Sequence, residues 1–178
     1  MKEFMIQTDR LIIRRFRAED WKDLAEILTD EKVVYYEPYD VFTTEQCKGE
    51  AENFSHNDSF YAVILKSENK VIGKLYFNDE KNFDTYELGY TFHGAYQGFG
   101  YAKESSAALM KYAFENMDVR KIIAYADATN ERSWKLLEAL GMKREGVLKA
   151  HCFKYKDEKG EPIWQDMLLY AAFYSDIL

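Results

Sequence analysis

Tyr86-Glu87-Leu88-Gly89-Tyr90-Thr91-Phe92, followed by Tyr96-Gln97-Gly98-Phe99-Gly100-Tyr101-Ala102-Lys103, is the stretch around which the chain is organised. The first seven residues read as a strand, and from Ala102 the apolar residues Leu109, Met110, Ala113, Phe114 and Met117 recur at helical spacing. The unit is strand, glycine turn, helix. Gly98 and Gly100 lack a Cβ, so the backbone between them can take positive φ and gather several N–H groups into one concavity. The first turn of the helix adds unpaired N–H groups and the positive end of its dipole. An anion such as a pyrophosphate can be held there without a cationic side chain. Two familiar phosphate loops are excluded by spacing: no G-x-x-x-x-G-K-[ST] run exists, and the G-x-G-x-x-G pattern fails because Lys103 stands where its third glycine belongs.

Upstream, Arg10 to Phe16 reads as a first strand, and Asp20-Trp21 opens a helix with Trp21, Leu24, Ala25 and Leu28 on one face, ending near Asp30. Pro38 restricts the residue before it, so Val33 to Tyr39 is expected to be a short helix followed by a loop. Thr43-x-x-Gln46 has capping-box spacing and starts a second helix carrying Cys47, Ala51 and Phe54. Phe60 to Lys66, Val71 to Asn78 and Tyr86 to Phe92 are three strands with short polar connections, hence antiparallel. Lys121 to Ala126, reached through the central helix, is expected to run parallel to its neighbour. Asn130 caps a short helix that Gly141 stops, and Val147 to Tyr155 with Trp164 to Tyr170 closes the chain as a hairpin.

With 178 residues, 47% of them apolar and 16% aromatic, the chain can bury one substantial core and is short for two. Cys47 and Cys152 match no metal spacing and make no disulfide framework, which fits a reduced, cytoplasmic setting with no metal. Met1 to Phe4 offers no apolar leader core, and the longest apolar run, Met167 to Tyr174, falls far short of the roughly twenty residues of a membrane span. A formal charge of -7 disfavours nucleic acid and tolerates a cationic partner. The apolar Met167 to Tyr174 end leaves a monomer or a homodimer open.

Gln97-x-x-Gly100-x-Ala102 resembles the acetyl-CoA loop, [RQ]-x-x-G-x-[GA], of the GNAT N-acetyltransferases. Glu87-Leu88-Gly89-Tyr90, Glu104, Asn130-x-x-Ser133 and Leu140-Gly141-Met142-x-x-Glu145-Gly146 are similar, in order and spacing, to the RimJ/RimL-type branch of that family. The likeness runs from Thr8-Asp9-Arg10-Leu11 to Tyr170. It implies one α/β (α+β) domain over residues 1–178, with a mixed, mostly antiparallel sheet of about seven strands, helices on both faces, and a strand splay that holds the cofactor. It also implies acetyl-CoA as cosubstrate and direct attack by a primary amine: the N-terminal α-amine of a protein, or a small amine such as a polyamine, amino acid or aminoglycoside. A non-catalytic acyl-CoA-binding module is the rival reading.

On the same resemblance, Tyr90 and Phe92 offer backbone groups to the pantetheine arm, and Gln97, Gly98, Phe99, Gly100, Tyr101, Ala102 and Lys103 hold the pyrophosphate. Asn130 bonds the arm, and Ser133 sits near the thioester sulfur, although both residue types also cap helices. An attacking amine must lose a proton, and Glu87 is the first candidate base; the plain alternative is a solvated carboxylate or a cross-strand ion pair. His93 titrates near neutrality and is a second candidate, or simply a hydrogen-bonding residue beside a turn. Leu137 occupies the position at which many family members carry a tyrosine acid, so Ser133 or water must substitute. Cys152 has no partner base in sequence to make it a nucleophile. Tyr35, Tyr36, Glu37 and Tyr39 are suited to clasp a cationic acceptor, or to pack under a loop.

Overall fold

A computed structural model describes residues 4–81 and 83–177, which leaves Met1 to Glu3 of the N-terminal reading and Asn82 of the Asp79 to Thr85 connection outside the described residues. The polar connections after residues 65 and 79 do turn antiparallel hairpins. Strands β1 (Met5–Gln7), β2 (Leu11–Arg15), β3 (Phe60–Leu65), β4 (Lys70–Asp79) and β5 (Thr85–Phe92) pair in succession, each antiparallel to the last. The glycine turn then launches α4 (Tyr101–Asn116), a helical crossover that sets β6 (Lys121–Asp127) parallel to β5. After α5 (Glu131–Ala139) the chain returns as β7 (Lys143–Cys152) and β8 (Gln165–Ala172), with β8 inserted antiparallel between β6 and β7. The sheet has eight strands, one more than the sequence suggests, because the three-residue β1 is too short for its alternation to register.

Pleating divides the side chains between two layers. Leu75, Phe77, Leu88, Ile122, Ala124, Ala126, Leu168 and Tyr170 are buried on one face with Leu109, Met110 and Ala113 of α4 and Leu137 of α5. On the other face, Ala62, Ile64 and Val71 are buried beneath α1 (Trp21–Leu28) and α3 (Thr44–Ser55), whose inward stripes are Leu24, Ile27, Leu28 and Cys47, Ala51, Phe54. Between these helices lies α2 (Glu31–Val34), one turn long, which Asp30 begins by accepting a hydrogen bond from Lys32 N. The capping box at Thr43 is complete, with bonds of 2.7 and 3.2 Å exchanged with Gln46. Asn130 Oδ1 accepts from Ser133 N, and Gly141 ends α5 at φ +84°.

Candidate active site

Strands β5 and β6 are in register only at Thr85–Lys121, Tyr86–Ile122 and Glu87–Ile123. Beyond Glu87, β5 stays with β4 and β6 stays with β8, so the sheet opens into a fork. His93 N donates to Ile72 O on β4, and alternation therefore turns the backbone groups of Tyr90 and Phe92 the other way, into the fork. Tyr90 has no register partner there. The Phe92 carbonyl is already taken: Gln97 Nε2 donates to it at 2.9 Å, and Gln97 Oε1 accepts from Arg132 Nη1 of α5 at 3.2 Å. Gln97 thus ties the end of β5 to α5.

Gly98 and Gly100 adopt φ +86° and +83°, the left-handed conformation expected of them. Among the described residues, the six N–H groups from Gly98 to Lys103 donate to no protein acceptor, and helical bonding begins at Glu104 N to Gly100 O. This row of amides, at the positive end of a sixteen-residue helix, has the donors and the field to take an anion. The loop is braced from behind. Arg10 Nη1 donates to Phe99 O at 3.0 Å, its guanidinium lies 4.5 Å from the Tyr101 ring centroid, and it pairs with Glu104, which also accepts from Thr8 Oγ1 at 2.6 Å. Two distant sequence motifs, around residues 8–11 and at Glu104, meet in this brace.

Glu87, Gly89 and Thr91 face the α1/α3 side of the fork, opposite α4 and α5. Burial, followed by the neighbouring Glu80 carboxyl, pushes Glu87 up to about 7. A carboxyl at the closed end of the fork is thereby held well above the ordinary carboxylate range. His93 does not offer a free ring nitrogen: Nδ1 accepts from Ala95 N at 3.1 Å, and Nε2 lies 3.1 Å from the Glu26 carboxylate.

Ser133 stands on the first turn of α5, and the Tyr90 hydroxyl reaches it from β5, 2.9 Å from its carbonyl and 3.0 Å from Oγ. Leu137, one turn further on, is 1% exposed and belongs to the core under α5. Its hydrocarbon is explained by packing.

Where β6 ends, a cleft of about 630 Å³ is lined by Tyr35, Asp127, Thr129, Tyr155, Trp164 and Asp166, among others. Its walls are tied together across the top. Lys154 Nζ donates to Val34 O at 2.6 Å and Tyr35 O at 3.3 Å, and Tyr155 OH donates to Tyr35 O at 3.2 Å. The exposed Tyr35 and Tyr36 rings pack edge to face, while Glu37 turns inward to accept from Thr91 Oγ1 at 2.8 Å. Glu37 also faces Lys74, whose ammonium is buried opposite Thr91 and is pushed down by that burial, with Glu37 and Glu50 pulling it back up. Lys74, Lys154 and Tyr155 carry no local signal of their roles, since each acts through a residue far away in the chain. Cys152 keeps its proton: burial, then Asp127, raises its thiol. Among the described residues no cluster of His, Cys, Asp and Glu could hold a metal ion, and no helix is long and apolar enough to cross a membrane.

Residues 10–143 match the acetyltransferase (GNAT) domain family. The chain belongs to the GNAT acetyltransferases. YnaD of Bacillus subtilis (strain 168), named as an N-acetyltransferase, is 36% identical to this GNAT protein over 167 residues, covering 93% of the chain and 95% of YnaD. The [ribosomal protein uS5]-alanine N-acetyltransferase of Escherichia coli (strain K12) is 26% identical over 157 residues, 81% of the chain and 80% of the relative. A GNAT-family acetyltransferase from Bacillus anthracis has the same fold, with a TM-score of 0.84 at 34% identity over 96% of this chain and 98% of that one. The GNAT protein described here is accordingly an N-acetyltransferase with a RimJ-like kinship and a mixed α/β sheet.

Proposed function

We propose that this enzyme transfers the acetyl group of acetyl-CoA directly to a small primary amine. The observation that carries the reading is the row of six unpartnered amides beside a fork between strands. The receptor suits a diphosphate, and the fork suits a narrow arm that bonds to strand backbone through Tyr90 and the Phe92 N–H, with Asn130 and Ser133 along its course. When bound, acetyl-CoA supplies an activated carbonyl and a thiolate leaving group. An ammonium near pKa 10 needs a proton acceptor, and Glu87, pushed up to about 7, can take that proton and release it to solvent at neutral pH. Glu87 is preferred to His93 because both histidine nitrogens are engaged. Ser133 is assigned a hydrogen bond to the departing sulfur.

The bridged cleft supports a small acceptor such as a polyamine, amino acid or aminoglycoside, with Tyr35 and Tyr36 as ring faces for a cation and Glu37 holding their loop down. A polypeptide needs an open run for the residues behind its α-amine, and the ties from Lys154 and Tyr155 to Tyr35 join two walls of this cleft. A protein N-terminal α-amine is the second reading, supported by the relative named for uS5 alanine. The test is calorimetric titration with acetyl-CoA followed by free-thiol release over a panel of polyamines, amino acids, aminoglycosides and N-terminal peptides. Turnover with small amines and little with peptides is expected. Peptide turnover alone would overturn the acceptor class. Cofactor binding with no thiol release for any amine would favour a binding module instead.

A further inference from the structure

The side chain of Tyr90 leaves β5 on the α4/α5 face, away from Glu87, and is one of the partly buried residues packed on that core. Its hydroxyl is within hydrogen-bond reach of two oxygens of one residue, the carbonyl and Oγ of Ser133, at 2.9 and 3.0 Å. A phenol has one proton. If it goes to the carbonyl, Ser133 Oγ must be the donor in the second bond, and the serine proton points at Tyr90. If it goes to Oγ, the serine proton is free to point into the fork. The two arrangements differ only by rotation of two O–H bonds. Burial pushes the phenol up to about 12, against the Ser133 hydrogen bond, which pulls it down, so the proton stays on Tyr90 through the neutral range.

We propose that Tyr90 is a positioning residue that aims the Ser133 hydroxyl, moving its own hydrogen bond from the Ser133 carbonyl to Oγ so that the serine proton is presented to the sulfur. The proposal rests on the assignment of Ser133 to the departing thiolate. The balance is simple. The N–C bond forms, the C–S bond breaks, and its electron pair goes to sulfur; of the two protons the ammonium nitrogen gives up, one leaves through Glu87 and the other ends on sulfur. Neither Tyr90 nor Ser133 loses a proton, because a phenol near 12 cannot protonate the conjugate base of a thiol near 8.5 to any useful extent. What the pair supplies is a directed hydrogen bond to a charged acceptor, shorter and stronger than a neutral one.

The test uses free coenzyme A, whose bound thiol can be titrated by the ultraviolet absorbance of its thiolate, alongside kcat. Ser133→Ala should raise the pKa of the bound thiol and lower kcat by about 10- to 100-fold. Tyr90→Phe should do the same in the same direction, and the double variant should be no worse than Ser133→Ala alone. Affinity for desulfo-coenzyme A, which has no sulfur to bond, should be equal in all four proteins. If Ser133→Ala leaves the bound thiol unmoved, the Ser133 assignment fails and the inference with it. If Ser133→Ala acts but Tyr90→Phe does not, or if the two effects add, Ser133 stands and the positioning role of Tyr90 is overturned. Should Tyr90→Phe lose its fold by circular dichroism, 3-fluorotyrosine at position 90, whose phenol still titrates above the thiol, decides the matter. It keeps the hydroxyl and strengthens it as a donor, so it should lower the bound-thiol pKa, and an unchanged value would overturn the proposal.

Discussion

Glu87 carries the clearest pH signature of any single residue. Its carboxyl has an ordinary value of 4.5 and is pushed to about 7 by burial and then by Glu80, so the native chain holds a proton that the unfolded chain gives up. Stability linked to this group is therefore present below pH 4.5, falls as pH rises towards 7, and is lost above it. Glu87→Gln removes the ionisation. The variant should melt at a higher temperature than the parent at pH 8 and lose that advantage at pH 4.5, measured by thermal unfolding in matched buffers. In the same variant the rising limb of kcat against pH, with its midpoint near 7, should disappear along with most of the rate, while acetyl-CoA affinity is spared. An unchanged rate would remove Glu87 as base. Glu80→Gln separates the two causes: with the neighbouring charge gone and burial retained, the midpoint should move to lower pH without vanishing.

At the scale of elements, the turn into α4 works through backbone conformation. A Cβ built on Gly98 meets nothing within 4 Å, and one on Gly100 comes no closer than 3.5 Å to Arg10 Nη2, so alanine at either position is opposed by positive φ and not by crowding. Holding alanine at that φ costs about 1–2 kcal/mol, and relaxing it turns the amides away from one another. Gly100→Ala should weaken acetyl-CoA binding by about 5- to 30-fold in a calorimetric titration while leaving the helical circular dichroism intact. Glu104→Ala, which dissolves the brace through Thr8 and Arg10, should weaken binding by a smaller factor. Local elements of this kind were legible in the sequence because their causes are local: the capping box at Thr43, the cap at Asn130, the stop at Gly141 and the glycine turn are each written within a few residues. Strand β1 was not, because three residues carry too little pattern. The inward turn of Leu137 and the reach of the Tyr90 hydroxyl were not, because each depends on an element packed against it from elsewhere in the chain.

Across the whole molecule, the amide row lies beside the fork and the bridged cleft lies where β6, one wall of that fork, ends. The bridge is a long-range feature: Lys154 and Val34 are 120 residues apart, and no spacing rule connects them. Desolvation lowers the Lys154 ammonium, with Asp40 and Glu37 acting in the opposite sense, so the tie is a charged donor on two backbone carbonyls in a partly dry setting. A carbonyl-bound ammonium of this kind positions the β7–β8 connection over α2 and pairs with no carboxylate among the described residues, and its removal frees that connection without emptying a core. Lys154→Ala should therefore leave the melting temperature within a few degrees of the parent. If the bridge sets the acceptor, small amines should show a raised KM with kcat nearly unchanged, because the substitution loosens the enclosure and leaves Glu87, the proposed base, in place. N-terminal peptides should gain kcat/KM when Tyr155→Phe is combined with Lys154→Ala, since the Tyr155 hydroxyl still holds Tyr35 in the single variant. The comparison is internal to one protein, with parent and variants assayed by thiol release on the same two acceptor classes. A loss on both classes with equal kcat would mean that the tie supports the site as a whole, and the enclosure would no longer explain which amine is acetylated.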